Sequence, residues 1–213
     1  MNANKTCSAN FTASGGGGGE AGTTWTLRNL DDHLNGVAYG NNIFVAVGRY
    51  GTILTSTDGV NWTQLTLGTS LHLYGVTYWN GTFVAVGESG TIFTSSDGVN
   101  WTQKTSPTAN SLFGVTYVNN TFVAVGQNGT ILTSSDGVNW TSRTSPTNRH
   151  LHSVTYGNNT FVAVGQNGTI LTSTDGVNWT QQNSRTSQML WDVVYGNNIF
   201  VAVGQNGTIL TSP

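Results

Sequence analysis

The sequence predicts an all-β fold, a five-bladed β-propeller of four-stranded antiparallel blades. Two observations carry that expectation. A unit of 39 residues recurs along the chain, so that Asp58, Asp97, Asp136 and Asp175 are evenly spaced, as are Trp62, Trp101, Trp140 and Trp179. Within each unit, turn residues cut the sequence into four short segments of alternating apolar and polar character, the pattern of a propeller blade.

The third unit shows the elements in order. Residues 112–117 form the first strand, which ends at the Asn119-Asn120 turn. Residues 121–125 form the second, closed by Gly126-Gln127-Asn128-Gly129, whose Asn-Gly pair supplies the left-handed residues of a tight hairpin. Residues 130–134 are the third strand. The Ser135-Asp136-Gly137-Val138-Asn139 turn follows, and 140–143 are the fourth. The first strand occurs five times, around Val37, Val76, Val115, Val154 and Val193, and the second and third strands end with copies at 199–203 and 208–212. The fifth unit has no Asp turn and lacks the Trp that follows it in the other four. Thr24-Trp25-Thr26-Leu27 matches the Asn-Trp-Thr-Gln that opens the fourth strand elsewhere. The strand at 23–29 is therefore expected to complete the blade of residues 190–212, covering an open sheet edge. Residues 23–213 make up the expected propeller. Residues 1–22, with the glycine run Gly15 to Gly19, form an arm outside the repeats, expected to contact a neighbouring subunit or a second copy.

Composition narrows the function classes. Charged residues are only 8% of the chain, about a third of the usual share, and Asn, Thr, Ser and Gly replace them. A net charge of −2 without a basic patch argues against a nucleic-acid partner. One cysteine, Cys7, excludes an intramolecular disulfide and a cysteine-rich metal knuckle. No run approaches the ~18 apolar residues of a membrane span. The opening residues carry one Lys and no apolar core, so no secretory leader is read there. The neutral polar surface fits an extracellular, virion or surface setting. Sequons recur because Asn-Trp-Thr, Asn-Gly-Thr and Asn-Asn-Thr belong to the repeat, while Asn4 and Asn10 lie outside it.

Ser-(Ser/Thr)-Asp-Gly-Val-Asn-Trp, at 56–62 and in three later copies, resembles the Asp-box of bacterial-neuraminidase-type repeats. Similar repeats occur in sialidases, lectins, a photosystem II assembly factor, and phage tail and surface proteins. Here Gly follows Asp directly and the box is one residue shorter. The resemblance implies the propeller fold. The four Asp and four Trp are read as structural: the carboxylate accepts backbone N–H groups of its turn, and the indole fills the gap between sheets. Sialidase chemistry needs an arginine triad, a Tyr/Glu pair and an acid, and only Arg49 and Arg149 lie on suitable loops. No catalytic residue, metal site or cofactor is expected, and the chain is read as a non-enzyme.

Function is sought where the units differ. They differ in the loops entering each first strand and in the turn after each second strand, which emerge on one face of a blade. One column runs Asn35, Tyr74, Phe113, His152 and Trp191; the turns add Arg49, Glu88, Gln127, Gln166 and Gln205. Aromatic rings beside amides suit a neutral glycan or surface polymer. The expected role is recognition within an assembly anchored by the arm; the alternative is a structural subunit of a virion, tail, filament or surface layer, and a glycoside-acting enzyme comes third.

Overall fold

Pairs of left-handed residues turn the chain back on itself between its β-forming runs, and an antiparallel meander results. Asn119 and Asn120 have φ of 50 and 58°, Asn128 and Gly129 of 55 and 72°, and equivalent pairs recur in the other units. Asn and Gly adopt this region at least cost, and two such residues in succession match the twist of a hairpin. The computed structural model describes residues 8–10, 24–27 and 33–212.

The chain divides into two compact units, residues 1–32 and 33–213. In the first, β1 (Ser8–Asn10) pairs antiparallel with β2 (Thr24–Thr26), Ala9 opposite Trp25. The second holds five sheets. Blade 1 is β3 (Leu34–Gly40), β4 (Ile43–Gly48), β5 (Thr52–Ser56) and β6 (Thr63–Thr66). Blade 2 is β7 (Leu73–Trp79), β8 (Thr82–Gly87), β9 (Ile92–Ser95) and β10 (Thr102–Lys104). Blade 3 is β11 (Leu112–Val118), β12 (Thr121–Gly126), β13 (Ile131–Ser134) and β14 (Thr141–Arg143). Blade 4 is β15 (Leu151–Gly157), β16 (Thr160–Gly165), β17 (Ile170–Ser173) and β18 (Thr180–Gln182). Blade 5 is β19 (Leu190–Gly196), β20 (Ile199–Gly204) and β21 (Ile209–Ser212). Each sheet follows chain order, and the first strands β3, β7, β11, β15 and β19 lie side by side. This is the expected five-bladed propeller.

The fifth sheet has three described strands, and Thr24–Thr26 pairs antiparallel with Ser8–Asn10. The closing strand expected over 23–29 is described only at 24–27, and the rest of that expectation lies outside the described residues. Cys7, Asn4 and the glycine run lie outside the described residues, as does the expected role of the arm.

Packing between blades repeats one scheme. Val45, Val47 and Ile53 of blade 1 meet Leu73, Phe83 and Ala85 of blade 2 in one buried cluster. Val84, Val86 and Ile92 meet Leu112, Phe122 and Ala124 of blade 3 in the next. The same pairing joins blades 3 and 4, and then 4 and 5. Each blade thus has a valine–isoleucine face toward its successor and a leucine–phenylalanine face toward its predecessor. At the ends the faces are uncovered: Val203 and Ile209 of blade 5 are 43% and 67% exposed, and Val37 of blade 1 is 65% exposed. The counterparts of Val203 and Ile209 in blades 1 to 3, such as Val86 and Ile92, are fully buried.

Candidate functional site

The Asp turns are scaffold. Asp136 Oδ1 accepts from the backbone N–H of Val138 and Asn139, each at 2.8 Å, and from Ser134 Oγ at 2.9 Å, while Oδ2 accepts from Asn139 Nδ2 at 2.8 Å. The same net forms around Asp58, Asp97 and Asp175. In each turn the N–H of the following Asn, helped by its side-chain amide and the preceding N–H, holds the carboxyl far below the usual carboxylate range. Gly137 sits at φ 74°, with space for a Cβ limited by Val84 Cγ2 at 3.0 Å. The indole N–H of Trp140 donates to Gly137 O at 2.8 Å, and its ring lies 6.2 Å from Phe122 between blades 2 and 3. Trp62, Trp101 and Trp179 repeat that bond and that ring contact.

The variable column is built by a β-bulge. In every first strand the register slips by one residue after the opening Leu. Leu112 faces Gly126 and Gly114 faces Val125, which leaves Phe113 as the extra residue. Asn35, Tyr74, His152 and Trp191 occupy the equivalent bulge positions. A bulge re-aims the side chain it carries. The sequence signal for it is that Leu112 and Val115, three positions apart, pack into one cluster, which a strict period of two does not allow. Glycine after the bulge lets neighbouring first strands approach: a Cβ on Gly114 would stand 3.0 Å from His152 O.

These bulge residues meet in a continuous aromatic band. Ring centroids are 5.4 Å apart for Tyr74 and Phe113, 5.5 Å for Phe113 and His152, and 5.0 Å for His152 and Trp191. His72 extends the band from Tyr74 to Tyr50, at 6.3 and 5.0 Å, and His150 lies 6.2 Å from Phe113. Tyr50 follows Arg49 in the variable turn, at a position that holds Ser or Asn in the other units. Trp191 ends the band and is 51% exposed. His152 Nε2 is buried without a hydrogen bond among the described residues, and burial, then the neighbouring His150, lowers its pKa from the ordinary 6.5. Burial, followed by the charge of Glu88, raises the pKa of the Tyr74 phenol.

The predicted polar residues stand beside this band but are tied to the scaffold. Asn35 Nδ2 donates to Leu73 O at 2.8 Å. Glu88 Oε2 accepts from the N–H of His72 at 3.1 Å, and Gln127 Oε1 from that of Ser111 at 3.4 Å. Arg49, Gln166 and Gln205 donate their backbone N–H to His33, His150 and Met189 carbonyls, which fastens each turn to the loop entering the first strand. His72 and His150 accept backbone N–H groups of Tyr50 and Asn128 on Nδ1, both at 3.1 Å. Among the described residues no three His, Cys, Asp or Glu side chains gather as a metal set, and no helix is long and apolar enough to cross a membrane.

A family model for the DUF6242 beta propeller domain matches residues 35–148. Among solved structures the chain is similar to YCF48 from Cyanidioschyzon merolae, with a TM-score of 0.69 and 18% identity over 87% of this chain and 68% of that one. It is similar to YCF48 bound to D1 peptide, with a TM-score of 0.69 and 22% identity over 90% and 68% of the two chains. The computationally designed Ika8 protein matches with a TM-score of 0.70 and 17% identity over 89% and 62%. No curated protein matches the sequence. At these identities the likeness concerns the fold.

Proposed function

The chain belongs to the DUF6242 β-propeller domain family, and on that scaffold we propose a non-catalytic recognition module that binds an extended, uncharged protein segment along its aromatic band. The observation that carries this reading is the row of bulge residues Tyr74, Phe113 and His152 ending in the exposed Trp191. The rings tilt against one another in a continuous row rather than lying as separate flat platforms. The amides beside them are engaged by the backbone. Such a row suits alternate side chains of an extended peptide, and the similar fold of YCF48 has been solved with a peptide bound. The low charge suits work outside the cell or on a virion surface.

A neutral glycan is the second reading, favoured by the open face of Trp191. Both readings are tested by probing uncharged peptides and neutral oligosaccharides in parallel, on the wild type and on Trp191→Ala. We expect peptide ligands whose affinity falls about thirty-fold in the variant, the loss of an aromatic anchor worth about 2 kcal/mol. Hits among sugars alone would replace the peptide reading. Hits that ignore the substitution, or none on either set, would end the proposal for this band.

A further inference from the structure

Each first strand closes on a tyrosine and one further residue before its asparagine turn. That last residue is Gly40, Trp79, Val118, Gly157 and Gly196 in blades 1 to 5. Glycine leaves room there for the tyrosine of the next blade: a Cβ on Gly40 would run into the ring of Tyr78, and one on Gly157 into that of Tyr195. In blade 2 a tryptophan takes the place and lies over the next tyrosine. Its ring stacks on Tyr117, with centroids 5.2 Å and planes 21° apart, and the residue is 51% exposed. Packing does not call for an indole at this position, since glycine serves in three blades and Val118, set against the core beside Tyr156, in a fourth. Trp79 thus has one face supported by Tyr117 and presents the other to water.

We propose that Trp79 on Tyr117, with the exposed amides of Asn80, Asn119 and Asn120, is a binding site for a neutral pyranose sugar. The amides belong to the turns that follow β7 and β11, two strands that lie side by side. Asn120 Oδ1 accepts from the Tyr117 hydroxyl at 3.2 Å, which keeps its NH₂ group as a donor. Asn119 Nδ2 donates to the Tyr156 hydroxyl, which keeps its carbonyl oxygen as an acceptor. The carboxylates at this end of the blades, Asp97 and Asp136, are engaged by their own turns. What remains is uncharged: a flat aromatic face for the C–H side of a sugar ring, and amides for its hydroxyls. Flatness separates this site from the aromatic band, whose rings are tilted against one another. Trp79 lies five residues beyond the bulge residue Tyr74, so the two sites stand about 16 Å apart along β7. The sugar site does not depend on the peptide reading of the band.

Fluorine NMR of the full chain labelled with fluorotryptophan tests this. The probes are hexasaccharides of glucose, mannose, galactose and N-acetylglucosamine, with uncharged peptides alongside. Trp79→Val installs the side chain that blade 3 carries at this position, so it keeps the fold, and it assigns the Trp79 signal among the seven tryptophans. We expect at least one sugar to move that signal saturably, with an affinity about ten-fold lower in Trp79→Val and within about two-fold of wild type in Trp191→Ala. A Trp79 signal that no sugar moves, or an affinity unchanged in Trp79→Val, would overturn the site. Movement by peptides with the sugars silent would overturn the sugar as its ligand. A sugar that moves the Trp191 signal alone, and is lost in Trp191→Ala, belongs to the band and would likewise end this proposal.

Discussion

Asp58, Asp97, Asp136 and Asp175 each gather two backbone N–H groups onto one oxygen, and this makes the protein sensitive to strong acid in a defined way. Their folded pKa values lie below the ordinary 3.8, so the stability they contribute is complete above that value and is lost as pH falls through the folded ones. His152 acts at milder pH. Its folded pKa is lowered, so the unfolded chain takes up the proton first, and stability declines as pH drops below 6.5. Denaturation midpoints measured against pH should therefore fall in two steps, and His152→Phe should remove the upper one. A midpoint that stays level from pH 7 to 5 in the wild type would contradict the buried, neutral imidazole. The Asp turns were legible in the sequence because a turn is a local device. The neutral state of His152 was not, since it depends on Phe113 and Trp191, each 39 residues away.

At the scale of single elements, the blade contacts are near copies whose depth differs with position. Trp140 is closed in by blades 2 and 3, whereas Trp62 of blade 1 is half-buried. Trp140→Ala should cost about 3–5 kcal/mol, the usual loss for a large aromatic removed from a core. Trp62→Ala should cost clearly less. Equal losses in urea titrations of the two variants would mean that blade 1 is covered as fully as blade 3. Strand limits came within a residue or two of expectation, because Asn-Asn, Asn-Gly and Asp-Gly pairs punctuate them. The bulge escaped notice, although it places every residue of the candidate band. It does not interrupt the run of strand-forming residues, and it betrays itself only in the odd spacing of Leu112 and Val115.

Across the whole molecule, stability is expected to grade from the ends toward the middle. Blades 2, 3 and 4 are packed on both faces, and blades 1 and 5 leave Val37, Val203 and Ile209 in water. Each blade is held by its neighbours, and among the described residues blades 1 and 5 have one buried blade contact each, so these two open first. Amide hydrogen exchange should find the strongest protection in β12 and β13 and the weakest in β20 and β21; uniform protection would argue for a single cooperative body. The blade count was legible because it is a sum of local repeats. The two unlike faces of each blade carry one more consequence, for heredity rather than for stability. A tandem duplication or deletion of one 39-residue unit puts a valine–isoleucine face against a leucine–phenylalanine face again, whichever unit is copied or lost. Recombination between such similar stretches of coding sequence can therefore lengthen or shorten this protein in whole blades without any new interface having to arise.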